Sequence, residues 1–111
     1  MFWGETKVKQ FSVRIVVYKT RRSMNKAIRR YFNTDKTALA FCGWTGDTVC
    51  LLFNERDLNH EVIAHEIYHA YEYFKRRKVR GLRLEEDVAI SLGMLTQGVY
   101  EYLRSEGLTI S

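Results

Sequence analysis

The residues best suited to chemistry form the pentapeptide His65-Glu66-Ile67-Tyr68-His69, which has the pattern H-E-x-x-H. Histidines four residues apart lie about 40° from one another around a helix, so both imidazoles can reach one metal ion. Imidazole nitrogen suits zinc, and a catalytic zinc site needs three protein ligands and leaves a fourth position for water. Glu66 stands beside this face and is expected to take a proton from that water. The pattern therefore predicts one Zn²⁺ per chain.

A third ligand is expected from the acidic run Glu85-Glu86-Asp87. The run precedes an apolar segment whose helix is predicted to be buried, because it is apolar nearly all round. Glu86 shares a helix face with the small residues Ala89 and Gly93, which would let this helix come close to the histidine helix. We therefore expect Glu86 to be the third ligand, with Glu85 as the alternative. Taken alone, an acidic triplet is also typical of a helix N-terminus, where the dipole favours negative charge.

The pentapeptide also occurs by chance in unrelated helices, so its surroundings decide how it is interpreted. His60 falls toward the apolar side and is predicted to be a helix-start or packing residue. Glu72 lies on the histidine face one turn beyond His69, and is expected to support the site or contact substrate. The apolar face of this helix points away from the two histidines, so neither is needed in the core; its members are Ile63, Ile67, Ala70 and Phe74.

The pentapeptide at residues 65–69, followed by Glu86 on the next helix, resembles the gluzincin pattern of zinc metallopeptidases. It is most similar to small phage-encoded and prophage-encoded metallopeptidases of the minimal gluzincin type, and more distantly to SprT-like peptidases. The resemblance covers residues 38–95. It implies a zinc-dependent peptidase fold, with zinc as cofactor and a protein or peptide as substrate, and the N-terminal third has no counterpart in it. Together with the chain length, it predicts a single metallopeptidase-like domain over residues 1–111. Zinc would polarise the scissile carbonyl, and Glu66 would act as general base and then protonate the leaving amine.

Peptide hydrolysis needs two further features, a donor for the developing oxyanion and a surface that holds the substrate. Tyr68, Tyr71, Tyr73 and Tyr100 are the candidate donors, and sequence alone does not choose among them, because most tyrosines in an aromatic core are packing residues. Residues 48–53 directly precede the histidine helix. We expect them to form an edge strand that pairs with an extended substrate by main-chain hydrogen bonds.

The net charge of +5 supports a competing prediction. Basic residues cluster at Arg29 and Arg30 with their neighbours, and again at Arg76, Arg77 and Lys78. Such clusters are typical of phosphate binding, although they also keep a small domain soluble and stabilise a helix C-terminus. The alternative function is therefore a basic module that binds nucleic acid or a host protein on a catalytically inactive peptidase-like fold. No motif for base recognition accompanies the clusters.

Periodicity and turn residues predict an α+β fold, in which a small antiparallel sheet of about three strands packs against three helices. The predicted strands are residues 9–18, 37–44 and 48–54, the last two joined by a hairpin turn at Thr45-Gly46-Asp47. A helix capped by Ser23 is predicted to end at Phe32 and to bury Ala27, Ile28, Tyr31 and Phe32. The histidine helix is predicted over 59–78, and the glutamate-bearing helix over 84–105.

The length of 111 residues suits one compact domain with a single core. No stretch approaches the roughly 20 apolar residues of a membrane span, and no apolar signal region opens the chain. We expect a protein of the cytoplasm, in a bacterium or a phage-infected host, with no membrane partner. Cys42 and Cys50 flank the hairpin turn, and in a reducing compartment we expect them to be two buried thiols.

Overall fold

The computed structural model describes residues 1–9, 11–34, 37–76 and 85–110, with side chains from residue 89 onward in the last range. Along these residues the strands and helices follow in the order β1 (Phe2–Val8), β2 (Phe11–Tyr18), α1 (Arg21–Phe32), β3 (Phe41–Thr45), β4 (Thr48–Asn54), α2 (His60–Arg76) and α3 (Glu85–Ser105). The predicted α+β class is confirmed. Among the described residues, no helix is both long and apolar enough to cross a membrane.

The described strands form one four-stranded sheet in the order β1-β2-β4-β3. β1 and β2 pair antiparallel, as do β3 and β4, while the central strands β2 and β4 run parallel. The parallel pair is possible because α1 and β3 form the long connection that such a pair requires. The sheet is therefore mixed rather than antiparallel, and it has one strand more than the sequence predicts.

The additional strand is β1, and its sequence explains why it was not predicted. The residues of β1 that face α3 include Gly4 and Thr6, which are too small to give an apolar alternation. They are small because α3 lies against them: a methyl group added to Gly4 would collide with the Tyr102 ring, and one added to Gly98 would collide with Thr6. Because close packing requires small residues here, β1 lacks the alternation of apolar and polar residues from which a strand is predicted.

The main core lies between the sheet and the helices α2 and α3. In β2 the predicted alternation is confirmed, because its inward residues Phe11, Val13, Ile15 and Val17 are at most 1% exposed. The helix α3 contributes one face, formed by Ser91, Leu95, Val99 and Leu103, all buried. Its other faces are solvated, and Ile90, Leu92 and Met94 are 37–49% exposed. The helix predicted to be buried is therefore buried along one face only, although its sequence is apolar nearly all round.

The opposite face of the sheet is covered by α1, whose Met24 and Ile28 pack on Leu52. The helix begins one turn earlier than predicted, because Thr20 is the N-cap and its Oγ1 accepts a hydrogen bond from the Ser23 amide at 3.1 Å. Ala27 and Ile28 are buried as predicted. Tyr31 is 68% exposed, because only one face of α1 reaches the sheet.

The two cysteines are free thiols on opposite faces of the sheet. Cys42 packs beside the main core, whereas Cys50 packs in the cluster under α1. The strand register pairs Cys42 with Leu51 and Cys50 with Gly43, so the thiols do not face one another across the hairpin. Both side chains are only partly buried.

Candidate active site and metal centre

The helix α2 positions the histidines, and its start is fixed by Asn59. The Asn59 side chain accepts a hydrogen bond from the Val62 amide at 2.8 Å, which caps the helix. From there the predicted apolar face packs into the core, since Ile63, Ile67, Ala70 and Phe74 are at most 5% exposed. This packing turns the opposite face, with His65 and His69, toward solvent. The predicted orientation of the helix is therefore confirmed.

His65 and His69 converge on one point. Their Nε2 atoms lie 3.0 Å apart, and the two rings meet edge to face with centroids 4.7 Å apart. At this distance one nitrogen must donate to the other, or both must direct lone pairs at a shared cation. Two nitrogens that each lie about 2.0–2.1 Å from a tetrahedral zinc are about 3.3 Å apart. An increase of a few tenths of an ångström in the Nε2–Nε2 distance would therefore allow both nitrogens to bind one zinc ion.

A third donor is not brought to the histidines by the described residues, among which no group of three His, Cys, Asp or Glu side chains could hold a metal. Glu86 lies in the first turn of α3, but its side chain, like that of Glu85, lies outside the described part of the chain. The expected close packing at Gly93 is absent, because its open side meets no described atom within 4 Å. Glu86 thus stays a prediction as the third ligand.

Glu66 is the buried carboxyl of the site, with 6% of its surface exposed. Burial raises the pKa of Glu66, and the neighbouring His65 opposes that rise. No described residue donates a hydrogen bond to its carboxylate. A carboxyl in such surroundings holds a proton more readily than an exposed one, which is the property that a group shuttling a proton near neutral pH requires.

A cavity of about 350 Å³ lies between α2 and β3, and we call it the histidine cavity. Cys42 of β3 lines it beside Glu66, and burial together with the Glu66 charge raises the pKa of this thiol to about 12. Cys42 therefore stays protonated and serves as a wall rather than a nucleophile. The side chains that define the cavity come from α2 (His65, Glu66, His69 and Glu72) and from β3 (Cys42 and Trp44).

The strand at the edge of this cavity is β3, not β4. β4 is paired on both sides, with β2 and with β3, so the prediction that residues 48–53 form an edge is wrong. The prediction failed because the partner of β4 on its far side, β2, is distant in sequence. β3 pairs with β4 alone among the described strands, and its outer side is therefore where an extended chain could add beside the histidines.

The structure separates the candidate tyrosines. Tyr68 is 58% exposed, and its ring centroid lies 6.0 Å from that of His69. The Tyr73 hydroxyl donates to the Gly46 carbonyl at 2.6 Å, so its proton is already engaged. The Tyr100 hydroxyl is paired with His60 Nδ1 at 2.8 Å, and neither residue lines the histidine cavity. Tyr71 is partly buried and does not line the cavity. Tyr68 is thus the candidate that the fold brings beside the histidines.

The predicted basic surface is divided. Arg76 lines the histidine cavity, whereas Arg29 lines a different cavity at the start of α1. Arg30 lies over the ring of Tyr31, 5.5 Å from its centroid. Arg77 and Lys78 lie outside the described residues. The two basic clusters therefore do not form one surface in the described part of the chain.

Two residues of the site were not anticipated from sequence. Cys42 beside Glu66 and Trp44 stacked on Tyr73, with ring centroids 4.7 Å apart, both come from β3. Their place depends on the sheet order and on the packing of α2, which no local pattern reveals. Alternation along β3 indicates that Cys42 and Trp44 share a strand face, but not that α2 lies over that face.

Comparison of the chain with models of protein families, with curated proteins and with solved structures found no match in any of the three. Function is therefore inferred from the residues and their geometry. The strongest geometric feature is the pair of converging histidines beside a buried carboxyl in a cavity bordered by a strand edge.

Proposed function

We propose that this protein is a zinc-dependent metallopeptidase. The observation that carries the proposal is the arrangement on α2, where His65 Nε2 and His69 Nε2 lie 3.0 Å apart in the same cavity as the buried Glu66. The exposed cationic side chain of Arg76 and the partly buried Glu72 line the same cavity and would contact a substrate that enters it.

His65 and His69 would hold the zinc, and Glu86 is the proposed third ligand. Glu85 is the alternative ligand, and Glu72, which lines the histidine cavity, would support the site or contact the substrate. Bound zinc would act as a Lewis acid on the scissile carbonyl and would lower the pKa of water to about 7. The substitution of Glu86 or of Glu85 alone therefore distinguishes the two ligand sets.

The chain's own groups would then move the proton and orient the substrate. Glu66 would accept a proton from the attacking water and donate it to the leaving amine, and its raised pKa makes the first of these transfers easier, because the carboxylate is then a stronger base. The free edge of β3 would hold the substrate in an extended conformation through main-chain hydrogen bonds. Tyr68, whose ring lies beside that of His69, would donate its hydroxyl hydrogen to the oxyanion, since no described group accepts a hydrogen bond from this hydroxyl.

The test measures metal first and cleavage second. Zinc per chain is determined by plasma mass spectrometry, on untagged protein, for the wild type and for His69→Ala, Glu86→Ala and Glu85→Ala. His60→Ala is the matched control, because His60 lies on the same helix but is paired with Tyr100 outside the cavity. We expect zinc in the wild type and in His60→Ala, and its loss in His69→Ala.

Cleavage is then followed by mass spectrometry of new termini in a proteome-derived peptide library. Glu66→Gln should retain zinc and lose activity by about 10²–10⁴-fold, the usual contribution of a general acid–base group. Two results would overturn the proposal: wild-type protein that takes up no zinc even when zinc is supplied, or a Glu66→Gln variant that cleaves as fast as the wild type.

A further inference from the structure

A second cavity, of about 580 Å³, opens at the start of α1 and is lined by basic side chains. We call it the basic cavity. It shares no lining residue with the histidine cavity. Its cations come from two parts of the chain: Lys19 directly follows β2 and precedes α1, which carries Arg22 and Arg29, whereas Arg56 follows β4. Four positive charges, one of them from a part of the chain distant in sequence, are thus gathered around one opening.

A fifth cation of this cavity, Arg21, is already neutralised. Its guanidinium binds Asp57 through two hydrogen bonds, Nε to Oδ2 and Nη2 to Oδ1, each 2.7 Å long. This pair holds the pKa of Asp57 at about 2, so the carboxylate stays charged and the pair persists at neutral pH. Within the described part of the chain, the other four cations make no ion pair.

The position of these charges on α1 is electrostatically unfavourable without an anion. The N-terminus of a helix carries partial positive charge and favours acidic side chains, yet the first turn of α1 contains none and begins with Arg21 and Arg22. Asp57 forms its ion pair with Arg21 and also attracts the charge of Arg56, so Lys19, Arg22 and Arg29 have no such partner among the described residues. An anion in the basic cavity would compensate the remaining cations, and backbone N–H groups of helix N-termini are themselves suited to phosphate.

The extent of the charge indicates more than one phosphate. Arg22, Lys26 and Arg29 are all exposed and occupy positions i, i+4 and i+7 of α1, so they lie along one side of the helix. At a rise of 1.5 Å per residue they span about 10 Å, which is longer than a single phosphate group and suits a run of consecutive ones. The net charge of +5 would draw such a polyanion toward the protein.

We propose that the basic cavity, extended by Lys26 along α1, binds the phosphate backbone of nucleic acid. This site is independent of the metallopeptidase proposal, because none of its residues lies on α2. Binding is expected to depend on phosphate number and salt rather than on base sequence. Among the described residues that line the cavity none is aromatic, and the one amide side chain, Asn25, is already bonded to the backbone of Arg21 and Ala38, so the cations would contact only the phosphate backbone.

The test is fluorescence anisotropy with a short fluorescein-labelled DNA strand, titrated with wild-type protein at several salt concentrations. If four phosphates are neutralised, affinity should fall about 50-fold between about 50 and about 200 mM salt, from a slope of about −0.7 per phosphate. The double variant Arg22→Ala with Arg29→Ala should bind more weakly, and its affinity should fall only about 7-fold over the same range.

The matched control is Lys75→Ala with Arg104→Ala, which removes the same charge from exposed residues of α2 and α3 that do not line the basic cavity. It should keep the wild-type salt dependence. Arg56→Ala gives an independent test from another part of the chain, in case the α1 variant folds poorly. Inorganic tripolyphosphate serves as competitor and, in calorimetry, as an alternative ligand.

Three results would overturn the proposal. One is equal weakening by the cavity variant and the control, which would indicate attraction by net charge alone. Another is no binding of DNA by the wild type at low salt. The third is tight binding of tripolyphosphate with none of DNA, which would make the cavity a site for a small phosphate compound. Selective loss in the cavity variants, with competition by tripolyphosphate only at high concentration, would support it.

Discussion

Asn54 is predicted to be the polar residue whose loss most weakens the fold. It is the last residue of β4 and is 1% exposed. Its Nδ2 donates to the Leu39 carbonyl at 3.0 Å and to Asp57 Oδ2 at 2.9 Å, and its Oδ1 accepts from the Asp57 amide at 3.0 Å. One side chain thus joins the end of the central strand to the segment before β3 and to the turn before α2.

The cost of Asn54→Ala follows from these three hydrogen bonds. The two bonds between neutral groups each contribute about 1 kcal/mol, and the bond to the charged Asp57 contributes about 1.5–3 kcal/mol. Water can reach Leu39, which is 47% exposed, and would replace part of the first bond. We therefore expect the free energy of unfolding to fall by about 3 kcal/mol, a large share of the total for a small domain.

The assay is urea denaturation followed by circular dichroism. Asn59→Ala is the control, because Asn59 is a partly buried asparagine in the same connection and loses mainly one capping bond, worth about 1 kcal/mol. Asn54→Asp should be less stable than Asn54→Ala at neutral pH, since it places a second carboxylate beside Asp57. The reasoning is refuted if Asn54→Ala and Asn59→Ala unfold at the same urea concentration.

Three further predictions follow from positions that differ in packing or charge. Gly93→Ala should raise the free energy of unfolding by about 1 kcal/mol, because the added methyl group meets open space and alanine favours the helix, whereas Gly98→Ala should lower it because the methyl group collides with Thr6 of β1. Urea denaturation of the two variants measures whether the free energy of unfolding rises in the first and falls in the second. Cys42, with its pKa raised to about 12, should be alkylated by iodoacetamide at pH 8 far more slowly in the folded than in the unfolded protein, as measured by mass spectrometry, and equal rates would contradict its burial. The pKa of Asp57 is about 2 in the folded protein and 3.8 in the unfolded chain, so the unfolded state binds more protons as the pH falls. The stabilisation by Arg21 is therefore present above pH 3.8 and is lost as the pH falls to about 2, and the melting temperatures of the wild type and of Asp57→Asn should converge over that window.

The elements with strong local periodicity could be predicted from the sequence. The elements whose residue types are set by packing against another element could not. β2 and the apolar face of α2 were predicted because their inward positions are large and apolar. β1 was missed because Gly4 and Thr6 are small where α3 crosses them. The cap of α1 was misplaced by one turn because Thr20 and Ser23 are both good capping residues, and only the backbone shows that Thr20 has the extended conformation.

For the candidate site, the residues on one helix could be predicted and those that come from other elements could not. The spacing of His65 and His69 determines that their rings lie together on any helix, and the structure shows them so. That Cys42 lies beside Glu66 depends on which strand forms the edge of the sheet, and the parallel pairing of β2 with β4 is a contact between residues about thirty-six positions apart. Long-range pairing leaves no trace in a local pattern.

The two buried asparagines explain how the proposed sites are held in place. Asn25 donates to the Ala38 carbonyl at 3.1 Å and accepts from the Ala38 amide at 2.8 Å, and Asn54 binds the carbonyl of the next residue, Leu39. Ala38 lines the histidine cavity, while Asn25 lines the basic cavity from the other side. Ala38 and Leu39, which lead into β3, are therefore fixed by side chains rather than by strand pairing, and the edge of β3 keeps its place beside the histidines because both asparagines anchor these residues.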